Sequence, residues 1–329
     1  MSVKGKHLVH SVLLGSDSNV FKPIDKTNQK FLDFKKKILG DKSYDFIIFY
    51  NSRNINRKRT SNLILAYRMF CDNLTKEKAD KCLLLLHTEK SLDAGTDLDA
   101  VSEAFASMYN TKIVEERFLP EDMNLLYNMC DITCNVSSNE GFGLSCNESL
   151  MCGIPVVVNV TGGLQDQIGQ TKDDGSPIKF THDFGSNNIG KYKRCGMWAY
   201  PIWPSAHTVQ GSIPTPFIVD DNYLVDDVAE GIMYWYLTDK ETRNNYGLEG
   251  RRWAMNEGGI NSKNMCNEFI KAMDFTLDNF EPESRFSIHT DSEHIGHSMP
   301  FDSLGFEIPI LDKSKIIEKI NYVKANEHF

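Results

Sequence analysis

Four side chains are placed to do chemistry together: the acids Glu140 and Glu148, and the bases Arg53 and Lys58. The acids bracket a Gly141-Phe142-Gly143-Leu144 turn. Gly141 and Gly143 admit backbone conformations closed to other residues and let a ligand approach the main chain. A helix expected to start near Leu144 would aim its free N–H groups and positive dipole end at that turn, which favours a phosphate. Glu148, one turn into the helix, suits hydrogen bonds from sugar or ribose hydroxyls, with Glu140 across the turn. Arg53 and Lys58 follow a strand-like run and suit a diphosphate. Taken singly, each feature has a blander reading: a solvated basic loop, or a βαβ unit with a glycine turn and two solvated glutamates.

The positioning elements read from periodicity. Residues 131–136 (DITCNV) and 154–158 (IPVVV) are apolar runs typical of buried parallel strands. Residues 44–50 (YDFIIFY), 81–87 (KCLLLLH) and the stretch from Thr111 supply further strands. Between them, Thr60 to Asn62 can cap a helix carrying Leu63, Ala66, Tyr67 and Phe70 at helical spacing. Residues 98–109 form another helix. Residues 121–130 form a third, with Pro120 before it and acids in its first turn. Residues 27–42 read as a short amphipathic helix.

This alternation predicts an α/β fold, a doubly wound parallel sheet of Rossmann-like type, with ligands bound outside the carboxyl ends of the strands. Arg53, Lys58, the 140–144 turn and a second glycine pair, Gly162-Gly163, all follow strands. Their convergence on one edge implies a ligand with phosphates and hydroxyls, hence a nucleotide or nucleotide sugar. Residues 172–216 read as a long irregular insertion packed by its aromatics. A short strand at 213–221 and helices at 225–237, 242–255 and 264–280 follow. The segments are therefore 1–43, a linker with a short helix; 44–280, the nucleotide-sugar-binding domain; and 281–329, a polar tail with one more helix at 312–325.

The stretch Glu140-Gly141-Phe142-Gly143-Leu144, Glu148, then Met151-Cys152-Gly153-Ile154-Pro155-Val156-Val157 resembles the signature of the family-4 retaining glycosyltransferases, which have the GT-B fold. Their hallmark is E-x7-E followed by an A-x-G-x-P-V-V-like segment; Met151-Cys152 depart from its small residue. Gly15, Asp17, Phe21 and Pro23 resemble the family's interdomain segment. Arg53 and Lys58 keep the spacing of its G-R-x4-K-G element, with Ser52 and Arg59 in place of glycines. Leu125, Tyr127, Cys130 and Asp131 follow its L-Y-x-x-A-D helix, and Gly162, Gly163 and Asp166 its G-G-x-x-E element. The resemblance runs over roughly residues 8–275.

It implies the carboxy-terminal donor-binding domain of an enzyme that transfers a sugar from a nucleoside-diphosphate sugar, with no cofactor or metal required. By resemblance, Arg53 and Lys58 neutralise the diphosphate, backbone N–H groups of Phe142 to Leu144 position the donor, Glu148 holds the ribose and Glu140 faces the transferred sugar. The turn at Phe118 would border the nucleobase, although a core phenylalanine fits that position equally well. In full-length members the interdomain segment follows an amino-terminal Rossmann domain. The acceptor-binding part is therefore expected on a separate domain or chain. The alternative is a nucleotide-sugar-binding module that does no chemistry alone. A GT-B sugar epimerase lacks the E-x7-E arrangement, and a dehydrogenase would need G-x-G-x-x-G after the first sheet strand.

Composition sets the remaining bounds. Net charge is −9, from 36 basic and 45 acidic residues, which argues against nucleic-acid binding. No apolar run approaches the ~18 residues of a membrane span, and the first residues lack a signal-peptide core. Eight cysteines are present without a C-x-x-C. The Cys130/Cys134 pair has no matching ligands for zinc. Reduced, mostly buried thiols and a cytoplasmic location are expected.

Overall fold

The computed structural model describes residues 12–178, 192–213 and 215–280. The chain divides into a unit of Val9–Phe275 and a second of Met1–Leu8 with Thr276–Phe329. Of the second unit, only residues 276–280 are described. The expected tail and its helix at 312–325 lie outside the described residues.

The larger unit is built on six strands: β1 (Phe46–Asn51), β2 (Cys82–His87), β3 (Thr111–Val114), β4 (Ile132–Asn135), β5 (Val156–Asn159) and β6 (Ala199–Ile202). They pair in the order β3-β2-β1-β4-β5-β6, parallel throughout. The doubly wound parallel sheet expected from the sequence is therefore present. Helices α1 (Gln29–Leu39), α2 (Thr60–Asp72), α3 (Lys76–Ala79), α4 (Leu98–Ala106), α5 (Pro120–Asn128) and α6 (Leu144–Met151) fall before or between the first five strands. An antiparallel ribbon of β7 (Ala206–Ser212) and β8 (Thr215–Asn222) follows β6. Then come α7 (Val225–Leu237), α8 (Lys240–Met255) and α9 (Ser262–Asn279).

Alternation along β1 shows how the strands hold the layers together. Ile47 and Phe49 join a core with Phe34 of α1, Leu126 of α5 and Leu150 of α6. Phe46, Ile48 and Tyr50 join the opposite core, with Leu63 and Tyr67 of α2 and Ile232 and Trp235 of α7. Strands buried on both faces account for the continuous apolar runs in the sequence. Phe21 and Phe31 of the expected linker segment belong to the first core. Pro120 opens α5 with Glu121 and Asp122 in its first turn. Asp97 and Asp239 cap α4 and α8 by accepting from Ala100 and Thr242 N–H groups.

Two elements differ from the sequence expectation. The 172–216 stretch contains β6, the sixth parallel strand. Its Pro201 pairs with Val158 at the sheet edge, where a missing N–H is tolerated. The same stretch also contains β7, which pairs antiparallel with β8. No described helix is long and apolar enough to cross a membrane.

Candidate functional site

In this strand order the connections leave β1 and β4 in opposite directions. Their following loops part and leave a crevice at the carboxyl edge. A cleft of about 700 Å³ lies there, lined among others by Arg57, Lys58, His87, Glu140, Gly143 and Glu148.

The wall from β1 is the loop 52–59, which ends in a 3-10 turn at Asn56–Lys58. Arg59 is left-handed at φ 54, the only non-glycine with positive φ among the described residues. Its guanidinium reaches Asp220 (3.3 Å) and Asn222 (3.1 Å) of β8. Asn54 ties the loop to its neighbours by donating to Thr96 O (2.6 Å), while its own N–H donates to Glu89 (3.0 Å).

The opposite wall is the turn after β4. Ser138 N–H donates to Arg57 O (2.8 Å), so the two walls are stitched at their base. Buried Asp220 also accepts from Ser138 Oγ (3.0 Å) and from the Asn139 amide. Gly143 sits at φ 89 and lets the chain enter α6 with no side-chain cap over its first N–H groups. The free end of the helix thus opens toward the cleft, lined there by Leu144 and Ser145.

Gly162 and Gly163 pack behind this turn and do not line the cleft. Gly163 N–H donates to Glu140 O (3.0 Å), and a Cβ on Gly162 would run into that same carbonyl. Gln167 donates to the carbonyls of Phe142 and Gly143. Phe142 itself is a core side chain. A Cβ on Gly141 would meet nothing within 4 Å, so the turn's outer rim is open.

The charges are concentrated in one cluster. Lys58 Nζ is ion-paired with Glu140 Oε2, with side chains only 11% and 10% exposed. Arg57 Nη1 shares that oxygen at 3.3 Å and donates to Asn139 O at 2.8 Å. Burial depresses the Lys58 ammonium, and the bond to Glu140 partly restores it. Arg53, by contrast, is 69% exposed and lies 3.8 Å from Glu89 at the cleft's rim.

Glu148 faces the cleft from α6 and accepts from Tyr127 Oη at 2.7 Å. Enclosure pushes its carboxyl up to about 7, with the Tyr127 bond pulling it back. Behind Tyr127 stand Asn51 at the end of β1 and His87 at the end of β2. Phe118 is not part of the lining: its ring packs edge-on against Phe34 (5.5 Å) and beside His87 (5.5 Å). Burial raises Asp166, beyond the glycine pair, to about 6.

The structure therefore brings Glu140, Lys58, Phe142, Gly143, Leu144 and Glu148 together in the lining, with Arg53 at the rim. Sequence reasoning missed Arg57, Asn51, His87 and Asp220. For Asn51 and His87 the available signal was their place at the carboxyl ends of parallel strands.

Residues 32–183 match the family model described as Glycosyl transferases group 1. No curated protein matches the chain. Among solved structures, sucrose-phosphate synthase from Thermosynechococcus elongatus is 16% identical at a TM-score of 0.53, over 80% of this chain and 52% of that one. A glycosyltransferase from Rickettsia africae is 17% identical at 0.55, over 81% and 57%. The Anabaena protein HepE in complex with UDP-glucose is 15% identical at 0.53, over 80% and 56%. These likenesses show a shared fold. The chain spans about half the length of each.

Proposed function

We propose that this chain is the donor-binding part of a retaining glycosyltransferase that uses a nucleoside-diphosphate sugar. The observation that carries the reading is the cleft at the β1/β4 switch point. There a buried acid with two cations, a second acid and an uncapped helix N-terminus meet within one space. Phosphates, hydroxyls and a reacting sugar each have a complementary partner there, and the group 1 match includes all of these charged residues and the helix start.

In this reading Lys58 and Arg57, assisted by Arg53 from the rim, neutralise the diphosphate as the bond to the leaving group breaks, a transition-state charge stabilisation. N–H groups of Phe142 to Leu144 hold the donor in place. Glu148 accepts from ribose hydroxyls. Glu140 faces the transferred sugar and favours its cationic, oxocarbenium-like state. Its hold on Lys58 keeps that ammonium ordered until an anion shares it.

A donor-binding module that is silent alone and completes its site with an acceptor-binding domain or chain is the second reading. All eight cysteines are free thiols, which suits a cytoplasmic setting.

The deciding experiment is calorimetry with UDP, GDP, ADP and their common sugar conjugates. UDP is the first choice, since it is the nucleotide in the HepE complexes. Saturable binding of one nucleotide, weakened by Glu148→Ala, supports the reading. Binding that ignores both Glu148→Ala and a Lys58→Ala/Arg57→Ala pair rules out this cleft. Turnover with acceptor sugars that appears only with an added partner chain favours the second reading.

A further inference from the structure

A series of polar groups crosses the cleft floor. Tyr127 Oη is 2.7 Å from Glu148 Oε2, and Asn51 Nδ2 is 2.9 Å from Tyr127 Oη. Asn51 Oδ1 is 2.8 Å from His87 Nδ1, and His87 Nε2 is 2.9 Å from the Glu116 carbonyl oxygen. The far end of the series can only accept. The near end accepts as a carboxylate and donates as an acid. The hydroxyl and the amide between them can each be turned around, but only together.

The logic of donors then fixes His87. With Glu148 ionised, Tyr127 donates to it and must receive from Asn51 Nδ2. Asn51 Oδ1 is left facing His87 Nδ1, which must carry a hydrogen. With Glu148 protonated, the carboxyl donates to Tyr127, Tyr127 to Asn51 Oδ1, and the turned amide to a bare Nδ1. The Glu116 carbonyl requires a hydrogen on Nε2 in both cases. Two arrangements satisfy every bond: acid Glu148 with neutral His87, or carboxylate Glu148 with imidazolium His87. Both hold the same number of protons.

We infer that His87 is a further positioning residue of this site, coupled to Glu148 through Tyr127 and Asn51. A ligand whose hydroxyls capture Glu148 as a carboxylate thereby brings a positive charge onto His87 in the same cleft. The ligand class this selects carries hydroxyl donors and an anionic group on one molecule; for the bound state, the inference rests on the donor reading above. No proton crosses the amide. Glu148 releases one to solvent, His87 takes one up, and the exchange sums to zero.

The surroundings favour the neutral arrangement in the free protein. Burial holds His87 below its usual range, with the Glu116 carbonyl and Glu89 pulling it back, while it holds Glu148 at about 7. Glu89 is paired with Arg53. The Glu116 side chain is paired with Lys37 of α1 (2.7 Å), whose ammonium also lies 5.4 Å from the Phe118 ring. Glu148 faces Tyr127 from α5 and the Cys152 thiol on its own helix. Lys58 and Arg57 are held by Glu140.

The test is the nitrogen spectrum of the His87 imidazole in the 15N-labelled chain, assigned by His87→Gln and followed from pH 5.5 to 8.5 (roughly one and a half units either side of the coupled carboxyl). In the ligand-free protein, a rise in pH through about 7 takes one proton from the pair as Glu148 ionises. Nδ1 is then expected to gain hydrogen as Nε2 gives up its own and the Glu116 carbonyl loses its donor, a tautomer change that an ordinary histidine does not show. Tyr127→Phe, which cuts the series, and Glu148→Gln, which removes the titrating end, should each abolish that response. With saturating UDP at about pH 6, below that titration, both ring nitrogens should carry hydrogen, and calorimetry in two buffers should find no net proton exchange. An ordinary titration of His87, unchanged in both variants, overturns the inference. Failure of UDP to bind would count against the donor reading, while the ligand-free spectra still decide the coupling.

Discussion

The ammonium of Lys58, on the loop after β1, rests on the carboxylate of Glu140, on the turn after β4. This contact closes the switch point in the free protein, and Arg57 joins it on the same oxygen. Removing one member of an enclosed pair leaves the other uncompensated, at a cost of about 2–4 kcal/mol. Glu140→Gln is expected to lower the unfolding midpoint by that measure in denaturant titrations. Added UDP should restore more stability to the variant than to the parent, because the freed cations gain a partner.

Glu148→Gln should act in the opposite direction on stability. The folded carboxyl titrates at about 7, against 4.5 ordinarily. Between those values the folded state holds a proton that the unfolded state has lost. Stability therefore falls as pH rises from 4.5 to about 7 and levels off above. Glutamine has no such term. The variant should match the parent near pH 4 and exceed it by about 1–3 kcal/mol near pH 8. Thermal scans at the two pH values read the difference, and an equal gain at both would contradict it.

The two arginines on the loop are predicted to separate. Arg57→Ala should weaken nucleoside-diphosphate binding by roughly tenfold to a hundredfold, since its guanidinium lies in the charge cluster. Arg53→Ala, a change at an exposed rim, should cost no more than about threefold. Calorimetric titration with UDP would rank them, and the reverse order would show that the loop rearranges around its ligand.

Glycines of the turn should fall into two classes. Gly162→Ala forces a Cβ against the Glu140 carbonyl from a left-handed backbone, and should cost about 2–4 kcal/mol. Gly141→Ala meets nothing within 4 Å. It should leave stability within about 0.5 kcal/mol and weaken only ligand binding. Urea denaturation of both variants, with UDP binding by the second, checks the contrast.

The sheet was legible because parallel strands buried on both faces write uninterrupted apolar runs, as 46–50 and 83–86 do. The β6 strand was not, because a proline at an edge strand looks like a loop. At the site, the glycine turn and both glutamates stood out by spacing alone. Arg57, which shares the Glu140 carboxylate, did not. The R-x4-K spacing selects Arg53, whereas the 3-10 turn and left-handed Arg59 carry Arg57 into the charge cluster. Asn51, Tyr127 and His87 come from three separate elements, so no local pattern relates them.

Asp220 receives Arg59, Ser138 and Asn139 from both walls of the cleft. It lies about eighty residues beyond the turn it clamps. During synthesis, both walls leave the ribosome well before this aspartate does. The sheet strands can pair first, and Arg57 and Lys58 can meet Ser138 and Glu140, but the clamp on Arg59, Ser138 and Asn139 must wait for the ribbon. Closing so long a loop is slow relative to local pairing. The nascent chain should therefore pass through a stage that has the architecture of the sheet without its binding competence.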